Sequence, residues 1–373
     1  MVRVTTELVQ TDVTVVDKQG RPVKDLKQEQ FQLFVDGKQQ PISFFERVTT
    51  GSASEEAQLA AARGSGIALE KATGVVPSDR GRAIFFFVDD LHMAPPNLIR
   101  ARRAILEYLD RELGQNDQAA ITSTSGQLGF LQQMTDNKLV LKRAAEKLKS
   151  SVKGGDMDFP PMTEIEAFMM LERGGSALMS YFIEQLVKDG IPRISAENLI
   201  RTRAKALLQQ AYHSTKGTLS TLETLARRSG QLPGRKLIFF ISDGFVMNLS
   251  DAGMIGRLHN ITDAAARNNV VIYALDSRGL MTGKMDDPTA APMFDPGGRL
   301  ASVENQDMSI SQEPLQVLAS STGGRAFLNS NSLKEGFSKG VKETSAYYLL
   351  AWRPLNEEQR NKKFRRIEVK IIG

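Results

Sequence analysis

The sequence predicts an α/β fold, with a Rossmann-like, doubly wound and mostly parallel sheet inserted in a small β-sandwich. Three observations support this prediction. Three unbroken apolar runs, each followed by an acidic residue, have the composition of strands buried on both faces of a parallel sheet. Segments with helical spacing separate these runs. Alternating apolar and polar residues stand near both ends of the chain, as in strands with one buried face.

The composition of the 373 residues narrows the classes of protein to consider. A hydrophobic share of 41% and a charged share of 24% are ordinary for a globular chain with two domains, or one large domain and a satellite. The absence of cysteine excludes disulfides and thiolate metal sites. No apolar run is long enough to span a bilayer. The net charge of +5 is dispersed, and the basic cluster Arg360–Arg366 is interpreted as a solvated strand edge rather than a nucleic-acid site.

The start of the chain predicts a strand and no signal peptide. Met1 is followed directly by VRVTTELVQTDVTVV, which alternates at the period of a strand. We therefore expect any targeting segment to have been removed from this sequence.

The β-sandwich is predicted to combine residues 1–48 with residues 345–373. Strands are expected on both sides, at Phe31–Val35, Gln40–Val48, Ala346–Arg353 and Lys363–Ile372. Asp36-Gly37 is a strong signal for a hairpin turn after the first of these strands. Neither end of the chain has enough strands to bury a face by itself, so we expect the two ends to meet in one unit.

The α/β domain is predicted to cover residues 80–344, after a linker rich in Gly, Ser and Ala at residues 49–79. Its central strand is Ala83–Val88. Further buried strands are predicted at Asp117–Ser123, Lys236–Ile241 and Val270–Leu275. The strand Gly129–Met134 is expected to form an edge hairpin with Asp117–Ser123. Helices with one apolar face connect them.

A helical insert is predicted at about residues 150–230. It contains a helix at Thr163–Val187, weakened at Gly174-Gly175, and a long amphipathic helix at Ala196–Arg228. Four of its residues are interpreted as adaptable core filling, with an apolar partner surface as the alternative: Met162, Met169, Met170 and Met179. The loop Gly279–Ser311 is long enough that we expect it to be functional or mobile, and to shape the choice of partner together with the insert.

Acidic residues follow three of the predicted buried strands. Asp89 and Asp90 follow the first apolar run, Asp243 follows the second, and Asp276 follows the third. The carboxyl ends of parallel strands share one edge, where open α/β sheets bind ligands. Close carboxylates repel unless a cation, a proton or donors lie between them, and oxygen ligands favour Mg²⁺ or Ca²⁺. Thr135 could add a hydroxyl ligand to such a cation site. The alternative for Asp243 and Asp276 is that these two residues only cap helices or turns.

As a set, seven stretches resemble the von Willebrand factor A domains, and more narrowly the bacterial VWFA-related proteins common in Acidobacteria. The stretches are TDVTVVDKQGRPVKDLKQEQFQLFVDGKQQPISFF, IFFFVDDLHM, LQQMTDNKLVLKRA, GRKLIFFISDGF, VVIYALDSRG, LASSTGGRAF and AYYLLAWRP. The resemblance covers nearly the whole chain. It implies a Rossmann-like A domain whose strand ends bind a divalent ion through Asp-x-Ser-x-Ser, a threonine and an Asp-Gly. It also implies export to the periplasm, the cell surface or the medium, because such proteins usually carry a signal peptide.

The same resemblance implies which residues would hold Mg²⁺ or Ca²⁺. Matched position by position, they are Asp89, Thr135 and Asp243. Leu91 and Met93 stand where the family has its two ligating serines, and neither can supply an oxygen to a hard cation. Asp90 and His92 flank these positions and are the candidates to compensate. The alternative for His92 is a surface histidine, or one that only supports a ligand.

The predicted function is a non-enzymatic, adhesion-type protein-binding module with a degenerate metal-ion-dependent adhesion site at the strand ends. A protein partner would offer a carboxylate or another acidic group to this site, and would complete the coordination of a metal if one binds. The alternative is a metal-free structural scaffold of an envelope or secretion assembly, which the replacement of the serines favours.

A metal-dependent phosphotransfer enzyme is a further alternative. The pair Asp89 and Asp90 after a first strand resembles receiver domains and metal-dependent phosphatases. However, Asp276 is followed by Ser277 and Arg278 rather than by the lysine that receiver domains need. No P-loop, G-x-S-x-G or histidine metal motif is present either, so we predict that the protein is not an enzyme.

Overall fold

The computed structural model describes most of the chain. The described residues are 9–17, 21–23, 25–49, 82–114, 117–128, 132–152, 161–232, 235–280, 299–344, 346–353 and 366–372. Apart from Thr49, the predicted linker lies outside this part of the chain, and so does the basic cluster Arg360–Arg366 apart from Arg366.

The described residues contain strands from both ends and an alternation of strands and helices between them. The strands are β1 (Val9–Val13), β2 (Phe31–Val35), β3 (Lys38–Gln40), β4 (Phe44–Thr49), β5 (Ala83–Val88), β6 (Gln118–Ser123), β7 (Lys236–Ser242), β8 (Val270–Asp276), β9 (Ala326–Phe327), β10 (Ala346–Trp352) and β11 (Ile367–Ile371). The α-helices are α1 (Pro95–Arg111), α2 (Lys138–Lys147), α3 (Glu164–Glu172), α4 (Ser176–Lys188), α5 (Arg193–Arg228), α6 (Ala252–Arg267), α7 (Arg299–Ser321) and α8 (Leu333–Glu343). Within the described ranges, no helix is both long and apolar enough to cross a membrane.

Five parallel strands form a sheet in the order β6-β5-β7-β8-β9. β5 lies between β6 and β7, and its last residue, Val88, is in register with Ser123 and Ile241. β5, β7 and β8 are buried along their whole length, which explains why their sequences are unbroken apolar runs. Phe86 stacks on Phe239 of the neighbouring strand, with ring centroids 5.7 Å apart.

Helices cover both faces of this sheet. α1, α2 and α8 pack on one face through buried residues such as Ile105 and Phe337. The C-terminal half of α5 packs on the other face together with α6 and α7, through residues such as Leu222 and Ile261. The prediction of an α/β fold with a parallel sheet between two helical layers is therefore confirmed.

Strands from both ends of the chain pair in two antiparallel sheets, β1-β10-β4 and β11-β2-β3. Their inner faces meet through aromatic contacts, among them Phe31 and Tyr348 with ring centroids 5.0 Å apart. The turn between β2 and β3 has positive φ at Asp36 (49°) and Gly37 (79°), as the Asp-Gly sequence predicts. These small sheets form a core only because the two ends of the chain combine.

One arginine links the antiparallel sheets to the parallel sheet. The guanidinium of Arg235, just before β7, lies 4.9 Å from the ring centroid of Tyr347 in β10, and Tyr347 is fully buried. Arg235 also donates a hydrogen bond from Nη1 to Thr14 Oγ1 at 2.9 Å. The sandwich is thus held against the end of the parallel sheet where its strands begin.

The helical insert consists of α3, α4 and the N-terminal half of α5. The predicted helix Thr163–Val187 is two helices, because Gly174 has φ +70° and a Cβ at Gly175 would lie only 2.9 Å from Met169 O. The long helix begins at Arg193 and spans about 54 Å. As the core-filling interpretation predicts, four methionines are buried in the core of the insert: Met162, Met169, Met170 and Met179.

Two predicted segments differ from the structure. α7 begins at Arg299, so the last part of the loop predicted at Gly279–Ser311 is helical, and residues 281–298 lie outside the described part. Packing of Ile310 against the insert stabilises this helix where local composition favoured a loop. Of the predicted strand Gly129–Met134, only residues 132–134 are described and they form no strand, although Thr135 directly after them forms an antiparallel bridge with Ala119 of β6.

Candidate functional site

The predicted acids lie along the edge of the parallel sheet where its strands end. Asp89 and Asp90 follow β5, Asp243 follows β7, and Asp276 is the last residue of β8. The backbone N–H of Asp89 donates to Ile241 O at 2.9 Å, which fixes Asp89 beside the end of the neighbouring strand. Asp89 and Asp243 therefore stand at adjacent strand ends, as expected for a parallel sheet.

The Asp89 carboxylate is fully buried and is surrounded by donors. Oδ1 accepts hydrogen bonds from Thr124 Oγ1 and Thr218 Oγ1, both at 3.0 Å. Oδ2 accepts one from Ser242 Oγ at 2.8 Å and lies 2.9 Å from His92 Nδ1. Each carboxylate oxygen thus has two partners. Buried carboxylates require such partners, because desolvation of an unpaired charge is costly.

His92 is the charged partner of Asp89. Its side chain is only 5% exposed, and its ring packs on Phe245 with centroids 5.1 Å apart. Burial by itself would lower the pKa of His92, but the Asp89 charge and hydrogen bond outweigh burial and raise that pKa above its ordinary value. His92 Nε2 is buried, and no hydrogen-bond partner for it lies among the residues that the structure describes. Within this part of the chain, the imidazole is held through Nδ1.

The acids around His92 respond to burial in different ways. Burial alone would raise the pKa of Asp89, yet the charge and hydrogen bond of His92 and the hydroxyl donors hold it below its ordinary value. For Glu164 of α3 and for Asp243, burial dominates and raises the pKa of each side chain. Both of these acids face His92 closely enough to favour its protonated form.

Asp90 organises two loops rather than facing solvent. Its Oδ1 accepts from the backbone N–H of Ser125 at 2.9 Å, and its Oδ2 accepts from the Ser125 hydroxyl. Oδ2 also accepts from Gln127 Nε2 at 2.8 Å and Ser151 Oγ at 2.9 Å. The fully buried Asp90 therefore joins the segment after β6 to the start of the insert.

Asp243 holds the start of α1 against the sheet. Its Oδ2 accepts from Ala94 N and from Asn97 Nδ2, each at 2.8 Å, and its Oδ1 accepts from the hydroxyl of Ser277. Because Ala94 is the N-cap position of α1 and its own side chain makes no cap, Asp243 supplies an anionic partner at this helix N-terminus. This favours the alternative that Asp243 acts as a cap.

Asp276 likewise has internal partners. Its Oδ2 accepts from Arg278 Nη2 at 2.7 Å and from Gln312 Nε2 of α7 at 2.7 Å. This buried pair stabilises the turn after β8 and attaches it to α7. Asp276 is thus part of the structure of this edge and not an open ligand.

Thr135 is not brought to this edge. Its backbone pairs with Ala119 at the start of β6, and Ala119 is in register with Ile84, four residues before the end of β5. The expected threonine ligand is therefore corrected: Thr124, which directly follows β6, approaches Asp89 instead. The antiparallel bridge with Ala119 is the pairing that the predicted edge hairpin implies, and this pairing itself places Thr135 beside the start of β6 rather than at its end.

Leu91 and Met93 have apolar roles. Met93 is fully buried in the core on one face of the sheet, and Leu91 is half-buried with its Cδ1 close to Gly217 of α5. The hydroxyls around Asp89 come from other elements. Thr124 and Ser242 stand at strand ends, so the rule that parallel strands end on one edge of the sheet could have predicted their place near Asp89. Thr218 lies inside a long helix, and no sequence pattern marks it as a partner of Asp89.

The side chains in this arrangement do not fit a divalent ion. Both oxygens of Asp89 are engaged by four donors, and the neighbouring His92 is favoured as a cation, which would repel a metal. The part of the chain that the structure describes contains no group of three or more His, Asp or Glu residues placed to hold a metal ion.

Comparisons with known proteins add little to this geometry. No family model matches the chain, and no curated protein matches it. Among solved structures, the chain is similar to an aerotolerance-related membrane protein from Bacteroides fragilis NCTC 9343 with multiple mutations to serines. The two are 16% identical, the match covers 70% of this chain and 100% of that chain, and the TM-score is 0.35. A likeness at this level assigns neither a family nor a function.

Proposed function

We propose that the protein is a non-enzymatic binding or scaffolding module with an α/β domain of the von Willebrand factor A type. In this proposal, hydrogen-bond donors and a histidine occupy the position where the resembling family holds a divalent ion. The observation that carries the proposal is the complete satisfaction of the buried Asp89 carboxylate by three hydroxyls and His92.

The electrostatics of the site support the metal-free form. Two positive groups do not share one carboxylate without cost, and the raised pKa of His92, whose Nδ1 lies 2.9 Å from Asp89 Oδ2, favours a positive imidazole there. A divalent ion would have to displace the imidazole and reorient three hydroxyls away from Asp89. The cluster instead ties the ends of β5, β6 and β7 to α5, which is a structural role for Asp89, the residue of this cluster that matches a ligand of the resembling family.

The expected partner remains a protein. Without an ion at Asp89, a partner carboxylate has no cation to coordinate there, so recognition would use the surfaces that the insert and α7 build around the strand ends. Export to the periplasm, the cell surface or the medium belongs to this proposal as well, because an envelope or secretion assembly is where such a module would serve as a scaffold.

Metal titration tests the metal-free site. We expect the unfolding midpoint to be the same, within error, in 1 mM Mg²⁺, Ca²⁺ or Mn²⁺ and in EDTA. A site with a dissociation constant of about 10 µM would add about 2.7 kcal/mol at that ion concentration. A stabilisation of this size that disappears in Asp89→Asn and persists in the control Asp110→Asn would overturn the proposal. Asp110 is a suitable control because its side chain is half exposed and pairs only at the surface with Lys142.

The metal-dependent adhesion site is the second candidate, and one observation favours it. Asp89 and Asp243 stand at adjacent strand ends with the hydroxyls of Ser242 and Ser277 beside them, which is an oxygen-rich set. The same titration decides between the two forms, since only this candidate predicts an ion-dependent midpoint that Asp89→Asn removes.

The absence of enzymatic activity is also a proposal. Its physical support is that no nucleophile of the described residues hydrogen-bonds to His92 Nε2 and that the Asp89 carboxylate is closed to solvent. We expect no turnover of aryl phosphates, acyl phosphates or esters. Turnover that Asp89→Asn abolishes, but that Asp110→Asn leaves intact, would establish an enzyme instead.

A further inference from the structure

The helical insert has a hydrophobic core of its own. This core consists of buried residues on α3, α4 and the N-terminal half of α5, such as Phe168, Phe182 and Leu208. Among the described residues outside 161–216, Val246 and Ile310 are the ones that pack on it. The two helical layers of the parallel sheet have separate cores. The insert is therefore packed as a body that can move as a unit.

The continuous helix α5 joins this body to the parallel sheet. On its buried face, Ala211 belongs to the core of the insert and Leu219 to a core of the sheet, while Tyr212 packs partly on both. Thr215 and Thr218 are fully buried between them, and the hydroxyl of each donates a hydrogen bond to another segment. A polar step therefore separates the two cores along α5.

Gly217 stands at this step, inside the helix. Glycine in a helix interior is unfavourable relative to alanine, because its backbone has more freedom to leave the helical conformation. Apart from adjacent residues and the nearby backbone of its own helix, an added Cβ would meet only Leu91 Cδ1 among the described atoms, at the ordinary contact distance of 3.8 Å. Packing thus does not require glycine here. Its conformational freedom instead marks the place where α5 can bend.

The contact of the insert with the strand-end edge is incompletely satisfied. Glu164 of α3 is half-buried and faces His92 closely enough for each charge to affect the pKa of the other side chain. His92 Nε2 is nevertheless buried without a hydrogen-bond partner among the described residues. A buried donor without a partner costs free energy. Movement of α3 away from His92 lets water reach both groups and removes this cost.

The contact of the insert with α7 is also loose. A cavity of about 530 Å³ lies between the two, with Met169 of α3 on one side and Ile310 of α7 on the other. Arg299 at the start of α7 pairs with Glu184 of α4 at 2.9 Å, and both side chains are partly exposed to solvent. Exposed ion pairs contribute little to stability, and a cavity forfeits packing contacts. This side of the insert therefore separates from α7 at a low cost in free energy.

We propose that the insert is a hinged lid over the strand-end edge, which pivots at Gly217 and exposes His92 when it opens. The core of the insert stays intact during this movement, because the bend falls at the polar step of α5 between the two cores. Opening controls access to the strand-end edge. It requires neither a bound metal nor the protein partner proposed above.

Chemical modification of His92 in the full chain tests the hinge. Diethyl pyrocarbonate acylates accessible imidazoles, so the reaction rate of His92 relative to that of the exposed His213 reports the open fraction. Peptide mass spectrometry measures both rates. Gly217→Ala should lower this ratio about twofold to fivefold, because alanine disfavours the bent backbone.

Gly256→Ala in α6 is the matched control. It adds the same methyl group to a helix interior without a described neighbour beyond its own helix, but away from the hinge. We expect it to leave the ratio unchanged. A ratio that both variants lower equally would mean that His92 reacts only through global unfolding, and this result overturns the proposal. So does a ratio that Gly217→Ala leaves unchanged, or an unmodified His92 when His213 has reacted completely.

A cross-link tests the movement independently. The chain contains no cysteine, so Glu172→Cys with Asn248→Cys introduces two unique thiols. They lie where the insert meets the segment after β7, since Asn248 Nδ2 donates to Glu172 Oε2 at 3.1 Å. Joining them with a short bismaleimide should prevent modification of His92. The same double variant with each thiol capped by N-ethylmaleimide should react at least as fast as the wild type. Equal reaction of the cross-linked and capped proteins overturns the proposal.

Discussion

Thr218 Oγ1 lies 3.0 Å from Asp89 Oδ1, and this hydrogen bond joins α5, the longest helix in the described part of the chain, to the residue that directly follows β5. Both residues are fully buried. α5 carries the insert on its N-terminal half and the sheet-covering residues on its C-terminal half, so Thr218 stands where the insert meets the sheet. The hydroxyl therefore connects the two parts through the Asp89 carboxylate.

Thr218→Val should destabilise the protein by about 1–3 kcal/mol, because it keeps the side-chain shape and removes one donor to a buried carboxylate. Urea unfolding measures this change. Thr224→Val on the same helix is the control, since the Thr224 hydroxyl is exposed and bonds only to Ser220 O. The control should change stability by less than about 0.5 kcal/mol. Equal effects of the two substitutions would show that Asp89 does not depend on Thr218.

The buried pair of His92 and Asp89 should make stability depend on pH. The folded state raises the pKa of His92, so the pair contributes fully below the ordinary histidine pKa, and this contribution is lost as pH rises through the folded value. Asp89 has a lowered pKa, so its contribution is lost only as pH falls through its folded value, below the ordinary aspartate range. We expect the free energy of unfolding to decrease from pH 6 upward.

His92→Gln isolates this effect. Glu164 and Asp243 also face His92 and titrate, so the measured quantity is the difference in unfolding free energy between the wild type and His92→Gln at each pH. This difference should shrink as pH rises above the ordinary histidine pKa. His213→Gln, at an exposed position of α5, should keep the wild-type profile. A difference that is constant with pH would mean that folding does not change the pKa of His92.

Gly244→Ala should be strongly destabilising. Gly244 follows Asp243 with φ +79°, and an added Cβ would collide with the backbone carbonyl oxygen of Ser311 in α7. The expected loss exceeds about 2 kcal/mol, since left-handed strain and a backbone clash add. Gly256→Ala in α6 is the counterpart, because its added Cβ would have no described atom within 4 Å apart from the adjacent residues and the nearby backbone of its own helix. It should stabilise the protein by about 0.5–1 kcal/mol. Thermal unfolding of both variants checks the pair, and a tolerated Gly244→Ala would contradict the close approach of α7.

The parts of the site that local sequence could predict are those at strand ends. β5, β7 and β8 are apolar along their whole length, and the alternation of strands with helices places their last residues on one edge. Asp89 and Asp243 therefore stand at adjacent strand ends as the sequence predicts. Their proposed role as ligands for an ion stays a prediction, since it depends on which donors surround each carboxylate.

Thr135 lies where an edge hairpin places it, because an antiparallel strand ends beside the start of its neighbour. Its expected role as a ligand at the strand-end edge therefore did not follow from the predicted hairpin. Thr218 could not be predicted, since nothing in an amphipathic helix marks which threonine will reach a carboxylate 129 residues away in sequence. That contact depends on packing between distant segments, which local patterns do not encode.

The sequence by itself determined the α/β class, the buried strands with acids at their ends, and the pairing of strands from both ends of the chain, because burial imposes a local pattern on each of these segments. Tertiary structure alone decided that hydroxyls and His92 surround Asp89 and that Asp243 caps α1. The physical reason is that hydrogen-bond partners and sheet edges are properties of neighbours in space, and these neighbours lie far apart along the chain.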